Sequence, residues 1–91
     1  MRIIWSKAAI EDLSEIHAFI NADNPRAAQR VASVLVKLTD SLIQFPNKGR
    51  TGHLHGTREI VVPSLPYIIV YHLADDRIEI VRIIHTSQQR G

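Results

Sequence analysis

Apolar residues recur every three or four positions over residues 7 to about 22, a pattern that predicts an amphipathic helix. These positions are Ile10, Leu13, Ile16 and Ile20. Ser6 stands just before the stretch, and its hydroxyl can accept a hydrogen bond from a free amide of the first turn. Glu11, Asp12 and Glu15 fall near the start of the helix, where negative charge favours the helix dipole.

A second helix is predicted directly after the first. Asn24 can cap it, and Pro25 suits its first position because the amide there is unpaired in any helix. Its apolar stripe consists of Ala28, Val31, Ala32, Leu35, Leu38 and Leu42. Since only a few residues separate the helices, we expect an antiparallel helical hairpin. The turn-forming residues 45–52 then end the second helix.

Four stretches are rich in β-branched and aromatic residues and are predicted to be strands. They cover residues 2–5, 57–62, 67–73 and 77–85, and the connections at 63–66 and 74–76 are short enough for hairpins. The element order β-α-α-β-β-β predicts an α+β fold, in which a helical hairpin packs on one face of a mainly antiparallel sheet. A length of 91 residues fits a single domain over residues 1–91.

A two-residue turn at Asp75 and Asp76 would fix the pairing of the last two strands. It pairs Leu73 with Ile78, Tyr71 with Ile80, Ile69 with Arg82, and Tyr67 with Ile84. Because side chains alternate along a strand, this pairing separates the sheet into two apolar faces. One holds Ile68, Val70, Val81 and Ile83; the other holds Tyr67, Ile69, Tyr71, Leu73, Ile78, Ile80, Arg82 and Ile84.

The smaller of these faces is expected beneath the helices. No further helix is predicted to cover the larger face, so we expect a binding partner there. Two alternatives stay open. Sheet twist and the loop at 45–56 could close the larger face, and a slip of one residue in the turn would exchange the two faces.

Composition and charge exclude several classes of protein. The chain has no Cys, and therefore no disulfide framework, thiolate metal site or cysteine nucleophile. Its longest apolar run, residues 67–71, is far shorter than the roughly 18 residues of a membrane span. The N-terminus lacks a signal pattern, so we expect a soluble cytoplasmic protein without a membrane contact. A net charge of +2 is not by itself a signature of nucleic-acid binding.

Arg82 interrupts an apolar face in the last predicted strand. A partly desolvated guanidinium is costly without an anionic partner. One interpretation is an internal salt bridge to Glu59 or to the C-terminal carboxylate. The other is contact with a phosphate or a partner's carboxylate, which the planar guanidinium can bind through two oxygens.

RNA cleavage through the 2′-hydroxyl needs a base, an acid and cations for the phosphorane charge. Residues of these types are His53, His55, Arg58, Tyr71, Arg82 and His85, together with Lys48 and Arg50 in the basic stretch at 48–58. His53 and His55 could also be metal ligands, but no third ligand lies nearby in the sequence. Each of these residues has an ordinary structural interpretation as well, and no spacing in the sequence obliges them to meet.

Several short motifs follow one another along nearly the whole chain. They are Trp5-Ser6 ahead of Asp12-Leu13, Asn24-Pro25-x-Ala27-Ala28, Phe45-Pro46-x-x-Gly49-Arg50-x-Gly52, Gly56-Thr57-Arg58-Glu59-x-Val61-Val62, Pro66-Tyr67-Ile68-Ile69-Val70-Tyr71 and Arg82-Ile83-Ile84-His85. In order and spacing the chain resembles the RelE/ParE superfamily of type II toxins. The resemblance implies a helical hairpin on an antiparallel sheet and a cognate antitoxin, encoded beside the toxin, that forms a hetero-oligomer with it. Operator DNA would be bound only through the antitoxin.

The closing Arg82-Ile83-Ile84-His85 motif looks most like the ParE branch, whose members characteristically poison DNA gyrase. Residues 86–89 replace the Met-Asp pair that commonly follows the histidine in that branch. The RelE branch instead cleaves mRNA on the ribosome. Gyrase inhibition is thus the leading expectation, a ribosome-dependent mRNA endonuclease the alternative, and a non-toxic binding module or inactive toxin the third.

Two sets of candidate site residues follow from the resemblance and the predicted faces. The nuclease alternative would use His55, Arg58, Arg82 and His85, with His53 and Tyr71 in secondary roles. The antitoxin would bind Tyr67, Ile69, Tyr71, Ile80, Arg82 and Ile84. We expect no metal and no cofactor.

Overall fold

The computed structural model describes residues 1–88, which form an α+β fold with two helices on a five-stranded mixed sheet. In chain order the elements are β1 (Arg2–Trp5), α1 (Lys7–Asn21), α2 (Pro25–Asp40), β2 (Arg50–Thr51), β3 (Thr57–Val61), β4 (Tyr67–Leu73) and β5 (Arg77–His85), with short 3₁₀ turns at Ser41–Ile43 and Thr86–Gln88. The strand order is β1-β5-β4-β3-β2. The predicted fold class is confirmed; the sequence reading missed only the two-residue β2. In this part of the chain no helix is long and apolar enough to cross a bilayer.

Both predicted helix starts are confirmed by their hydrogen bonds. The Ser6 hydroxyl accepts a hydrogen bond from the Ala9 amide at 3.0 Å, and the Asn24 side chain accepts one from the Ala27 amide at 3.1 Å. Pro25 occupies the first helical position. The two helices therefore begin where the sequence places them and pack against each other as a hairpin.

Counted outward from the turn at residues 75 and 76, the β4–β5 hairpin keeps its predicted register as far as the pair of Tyr71 and Ile80. Beyond this pair a bulge leaves Val81 without an opposite residue, so that Arg82 pairs with Val70 and Ile83 with Ile69. The bulge lies where β1 ends, and Ser6 binds there through its amide to Ile80 O and through its hydroxyl to Val81 O. The predicted pairs Ile69–Arg82 and Tyr67–Ile84 are therefore wrong by one residue.

The prediction of which face the helices cover is also wrong. The core brings helix residues such as Leu35 together with the larger apolar face of the sheet. That face contributes Tyr67, Ile69, Tyr71, Ile78 and Ile80, all buried. The bulge adds Ile83 to it, a residue that the sequence placed on the smaller face. A helical hairpin stabilises the fold most where it removes the largest apolar area from water, and the larger face offers that area.

The face away from the helices is smaller and mixed in character. Glu59, Val70 and Arg82 form one row across β3, β4 and β5, and Val61, Ile68 and Ile84 form the next. Ile68 and Val70 are buried here, whereas Val61 at the end of β3 is exposed. This row of Glu59, Val70 and Arg82 positions the candidate site.

Candidate functional site

Arg82 and Asp12 form the most tightly defined polar contact at the free end of β5. The guanidinium Nε and Nη2 donate to the two Asp12 oxygens at 2.7 and 2.9 Å. Asp12 Oδ2 also accepts the Ile83 backbone N–H at 2.9 Å. Hydrogen bonding to Asp12 raises the pKa of Arg82 further above its ordinary value. The anion that the sequence predicts for Arg82 is thus Asp12 of α1, and neither Glu59 nor the terminal carboxylate is needed to satisfy it.

Two clefts border Arg82, one on each side of it. The larger, about 590 Å³, lies between α1 and β5 and is lined by Asp12, Glu15, Ile16, Phe19, Pro66, Tyr67, Arg82, Ile83, His85 and Gln88. The smaller, about 280 Å³, lies on the face away from the helices and is lined by His53, Leu54, Glu59, Val70, Arg82, Ile84 and Gln88. Arg82 and Gln88 belong to both clefts, so the end of β5 is the point where they meet.

Arg58 does not join Arg82. It pairs with Tyr71 on the helix side of the sheet, whereas Arg82 pairs with Val70 on the other side. β4 separates the two strands, which puts their backbones about 10 Å apart. Arg58 donates instead to Gly49 O at 2.8 Å. The two proposed phosphate clamps therefore lie on opposite faces, and each has a partner within the chain.

The three candidate histidines are dispersed. His53 lines the smaller cleft and His85 the larger, while His55 lies exposed in a turn and lines neither cleft. His85 Nδ1 accepts the Ser87 backbone N–H at 3.1 Å, and its ring meets the edge of Tyr67 at 5.6 Å between centroids. His85 thus shares the larger cleft with Arg82, His53 shares the smaller one with it, and His55 shares neither.

Glu59 was not among the predicted site residues except as an alternative partner for Arg82. It is 5% exposed and holds the turn before β3: its Oε2 accepts the His53 backbone N–H at 3.0 Å and lies 3.2 Å from His53 Nδ1. Arg50 Nη2 lies 3.4 Å from Oε1. Burial alone would raise the pKa of the Glu59 carboxyl, but the hydrogen bonds from His53 and Arg50 outweigh it and lower the pKa.

Tyr71, a secondary catalytic candidate, is fully buried. Its hydroxyl donates to Pro46 O at 2.7 Å and accepts the Gly49 N–H at 2.9 Å. These two bonds tie the loop after α2 to the centre of the sheet. In this structure Tyr71 is a core residue that anchors a loop.

The surface predicted for the antitoxin does not exist as an exposed surface. Tyr67, Ile69, Tyr71 and Ile80 are buried in the core beneath the helices. The bulge at Val81 turns Arg82 and Ile84 to the other face, where Ile84 remains half-buried. The Arg82 guanidinium extends from there to Asp12 of α1, on the helix side. The prediction that these six residues form one open face is wrong because the helices cover the larger face and the register shifts.

Asp12 and Gln88 are the site residues that the sequence did not assign to the site. From the sequence, Asp12 was interpreted as a charge that favours the helix dipole. In the structure its carboxylate binds Arg82, which is 70 residues further along the chain. Gln88 Oε1 accepts the His85 backbone N–H at 2.9 Å, which closes the end of β5. Residue 89 of the predicted tail and the terminal carboxylate lie outside the described residues. Within residues 1–88 no three His, Asp or Glu side chains are grouped as metal ligands would be.

Comparison with known proteins gives consistent matches over nearly the whole chain. The sequence model for the ParE toxin of the type II toxin–antitoxin system parDE matches residues 3–90. The chain is 41% identical over 88 residues to the protein Y4kP of Sinorhizobium fredii, covering 97% of this chain and 91% of the relative. It is 38% identical over 87 residues to the toxin RelE2 of Caulobacter vibrioides, covering 96% and 97%.

Solved structures match the fold. A chain of the chromosomal ParDE toxin–antitoxin system of P. aeruginosa superposes with a TM-score of 0.86 at 24% identity, covering 93% of this chain and 95% of that one. A YoeB/ParE toxin from Agrobacterium tumefaciens superposes with a TM-score of 0.65 at 14% identity, covering 93% and 98%. From the family match and the similar relatives we conclude that this chain belongs to the ParE toxin family of type II toxin–antitoxin systems.

Proposed function

We propose that this toxin arrests growth in the cytoplasm by binding DNA gyrase, and that it does not cut RNA. The observation that carries the proposal is the bidentate pair between Arg82 and Asp12. The best-placed cation for a scissile phosphate is already neutralised by a carboxylate of its own chain. An RNA phosphate would have to displace that carboxylate, which also holds the Ile83 amide.

The distribution of the other candidate residues supports the same proposal. Cleavage through the 2′-hydroxyl needs a base, an acid and a cation around one phosphate. Arg58 and Arg82 are on opposite faces of the sheet, and His53 and His85 line different clefts. In this arrangement one phosphate cannot lie within hydrogen-bonding distance of all these groups at once.

Exposed apolar side chains on α1 support a binding function. Phe19 is 79% exposed and Ile10 is 55% exposed, although both lie on an otherwise amphipathic helix. Large apolar side chains left in water are a common feature of protein-binding surfaces. Nine residues separate Ile10 from Phe19, which puts them on opposite flanks of α1. We assign the flank that carries Phe19 to the contact with gyrase.

Membership of the family implies a cognate antitoxin. We propose that an antitoxin segment covers the two clefts beside Arg82. Phe19 in the larger cleft, and Leu54 and Ile84 in the smaller, give both clefts an apolar lining that is open to solvent. An antitoxin bound there would also shield Phe19, and neutralisation would then follow from competition with gyrase.

The second candidate is a ribosome-dependent mRNA endonuclease. One observation favours it: Arg82 and His85 line the same cleft of about 590 Å³, so a cation and a possible general acid or base do lie together. The two candidates differ in whether His85 transfers a proton. This difference makes them separable in one experiment.

The test is expression of the chain under tight control, with two readouts from the same culture. Plasmid topology reports gyrase activity, and primer extension on a translated message reports cleavage. The proposal expects relaxed plasmid or trapped cleavage complexes together with intact message. Codon-linked breaks in the message with unchanged plasmid topology would establish the endonuclease instead.

A further inference from the structure

The outer face of α2 carries a basic stripe of three cations, which Ser33 and Val34 interrupt and which Asp40 follows on the same side. Arg26, Arg30 and Lys37 follow one another at helical spacing, so they lie on one side of the helix. The opposite side carries the buried residues Ala28, Val31, Leu35 and Thr39. The three cations therefore point away from the core into solvent, and all three are exposed.

These cations have no internal partner. Within residues 1–88, none of the three side chains takes part in a hydrogen bond or an ion pair. The only acid of α2 is Asp40, at the end of the helix. Two arginines elsewhere in the described chain differ: Arg82 is bound to Asp12, and Arg77 to Asp76 and Glu79.

The acids of α1 face away from the stripe. Asp12 accepts two hydrogen bonds from Arg82, and Glu15 lines the same cleft as Arg82, so these two acids lie on the β5 side of α1. The helix layer is therefore segregated, with acids beside β5 and cations on the outer face of α2. Such segregation gives one surface a positive potential although the net charge is only +2.

Lys48 continues the stripe beyond the helix. It lines a surface cleft of about 380 Å³ together with Lys37, Val34, Leu38, Ser41 and Pro63. Arg50, two residues further along this loop, is instead tied to Glu59. The basic surface thus extends from the start of α2 to the loop that follows the helix.

We infer that Arg26, Arg30, Lys37 and Lys48, the α2 basic stripe, form a site for the phosphate backbone of duplex DNA. From Arg26 to Lys37 the helix rises about 16 Å, which corresponds to roughly five base-pair steps along a duplex. α2 carries no aromatic residue on which unpaired bases could stack, and this favours a duplex over a single strand. Binding is independent of sequence, since the stripe offers charge and no groove-reading pattern.

This inference goes beyond the proposed function, because the toxin itself would touch DNA without an antitoxin or gyrase between them. If the toxin's target is itself bound to DNA, contacts between the stripe and the DNA phosphates would strengthen binding of the toxin to that target and fix its orientation. The contact is electrostatic and therefore weakens steeply with salt.

The test compares two double variants of the full chain that each remove two positive charges. R26Q/R30Q changes the stripe, and R2Q/K7Q changes two exposed cations outside it. Glutamine keeps the helix propensity of α2, and circular dichroism checks that both variants fold. Fluorescence anisotropy with a labelled 20-base-pair duplex gives the dissociation constant over a range of salt concentrations.

We expect R26Q/R30Q to weaken duplex binding at low salt by about tenfold or more, and to reduce the slope of log K against log salt by about 2. R2Q/K7Q should change the affinity by less than about twofold. Equal losses in the two variants would mean that only net charge matters and would overturn the inference. No duplex binding by the unaltered chain, or tighter binding to single-stranded RNA, would overturn it as well. Because the readout is free DNA, such a failure is distinguishable from a failure of the gyrase proposal.

Discussion

Asp12 of α1 holds Arg82 of β5 through both of its carboxylate oxygens, at 2.7 and 2.9 Å. The same carboxylate accepts the Ile83 amide, which lies beyond the end of β1 and would otherwise be an unpaired donor at the sheet edge. One side chain thus closes the edge, fixes α1 against β5 and neutralises the guanidinium. The end of β5 therefore needs no sixth strand to satisfy this backbone donor.

Replacement of Asp12 should destabilise the fold. D12A removes the acceptor of three hydrogen bonds and leaves the Ile83 N–H unsatisfied, which costs on the order of 1–3 kcal/mol in free energy of unfolding. Urea denaturation of the purified chain measures the change. E15Q, one helical turn away in the same cleft, is the matched control and should change the stability by less than about 0.5 kcal/mol. Equal stability of D12A and the unaltered chain would contradict the role given to Asp12.

Y71F should loosen the loop after α2. It deletes a fully buried hydroxyl that binds Pro46 O and the Gly49 amide, and we expect a loss of about 1–3 kcal/mol. Hydrogen exchange at the Gly49 amide should accelerate together with this loss. The control is Y67F, because among the described residues the Tyr67 hydroxyl has no hydrogen bond. Unchanged protection of Gly49 in Y71F would rule out the anchoring role.

Gly49 has no space for a side chain. A Cβ at this position would lie 2.7 Å from Tyr71 Cε1 and 3.0 Å from Glu59 O. Since Tyr71 is fully buried, it cannot move aside, and G49A should cost about 1–3 kcal/mol in free energy of unfolding. N47A, in the same loop but exposed, should be close to neutral in thermal unfolding. A stable G49A protein would show that the loop does not pack on Tyr71 as described.

Glu59 should make the stability depend on pH in the acid range. Because its pKa is lower in the folded chain than in the unfolded one, its contribution is complete above the ordinary glutamate pKa, about 4.3, and is lost as the pH falls through the folded pKa. E59Q should therefore flatten the curve of unfolding free energy against pH below about pH 4.3. Urea titrations at several pH values test this. If E59Q and the unaltered chain lose stability equally as the pH falls, the pH dependence comes from groups other than Glu59.

Local sequence signals predicted much of the fold because they depend on near neighbours. The caps at Ser6 and Asn24 and the turn at Asp75 and Asp76 each involve residues a few positions apart, and all were confirmed. Strand limits followed from the same kind of evidence. Such features are set by backbone geometry and hydrogen bonding within a single turn.

The site could not be predicted because its determinants are distant in the sequence. The bulge at Val81 coincides with hydrogen bonds from Ser6, 75 residues away, and it decides which face Arg82 and Ile83 occupy. Asp12 meets Arg82 across 70 residues. Alternation along β4 and β5 marks two apolar faces but does not say which of them the helices cover. These contacts became visible only in three dimensions.

The proposed function requires binding to gyrase and no proton transfer by the toxin, so the histidines should be dispensable for it. The triple variant H53A/H55A/H85A removes every histidine that was considered for catalysis and leaves Arg82, Asp12 and Phe19 in place. Its fold can be checked by circular dichroism and by urea denaturation. A toxin that acts by binding should tolerate this change.

The most direct measurement is a gyrase supercoiling assay with purified enzyme, titrated with the unaltered chain and with H53A/H55A/H85A. Both proteins should inhibit supercoiling or trap cleavage complexes at similar concentrations, and neither should cleave mRNA on translating ribosomes. Unimpaired gyrase at every toxin concentration, with message cleavage that the triple variant abolishes, would contradict the proposed function.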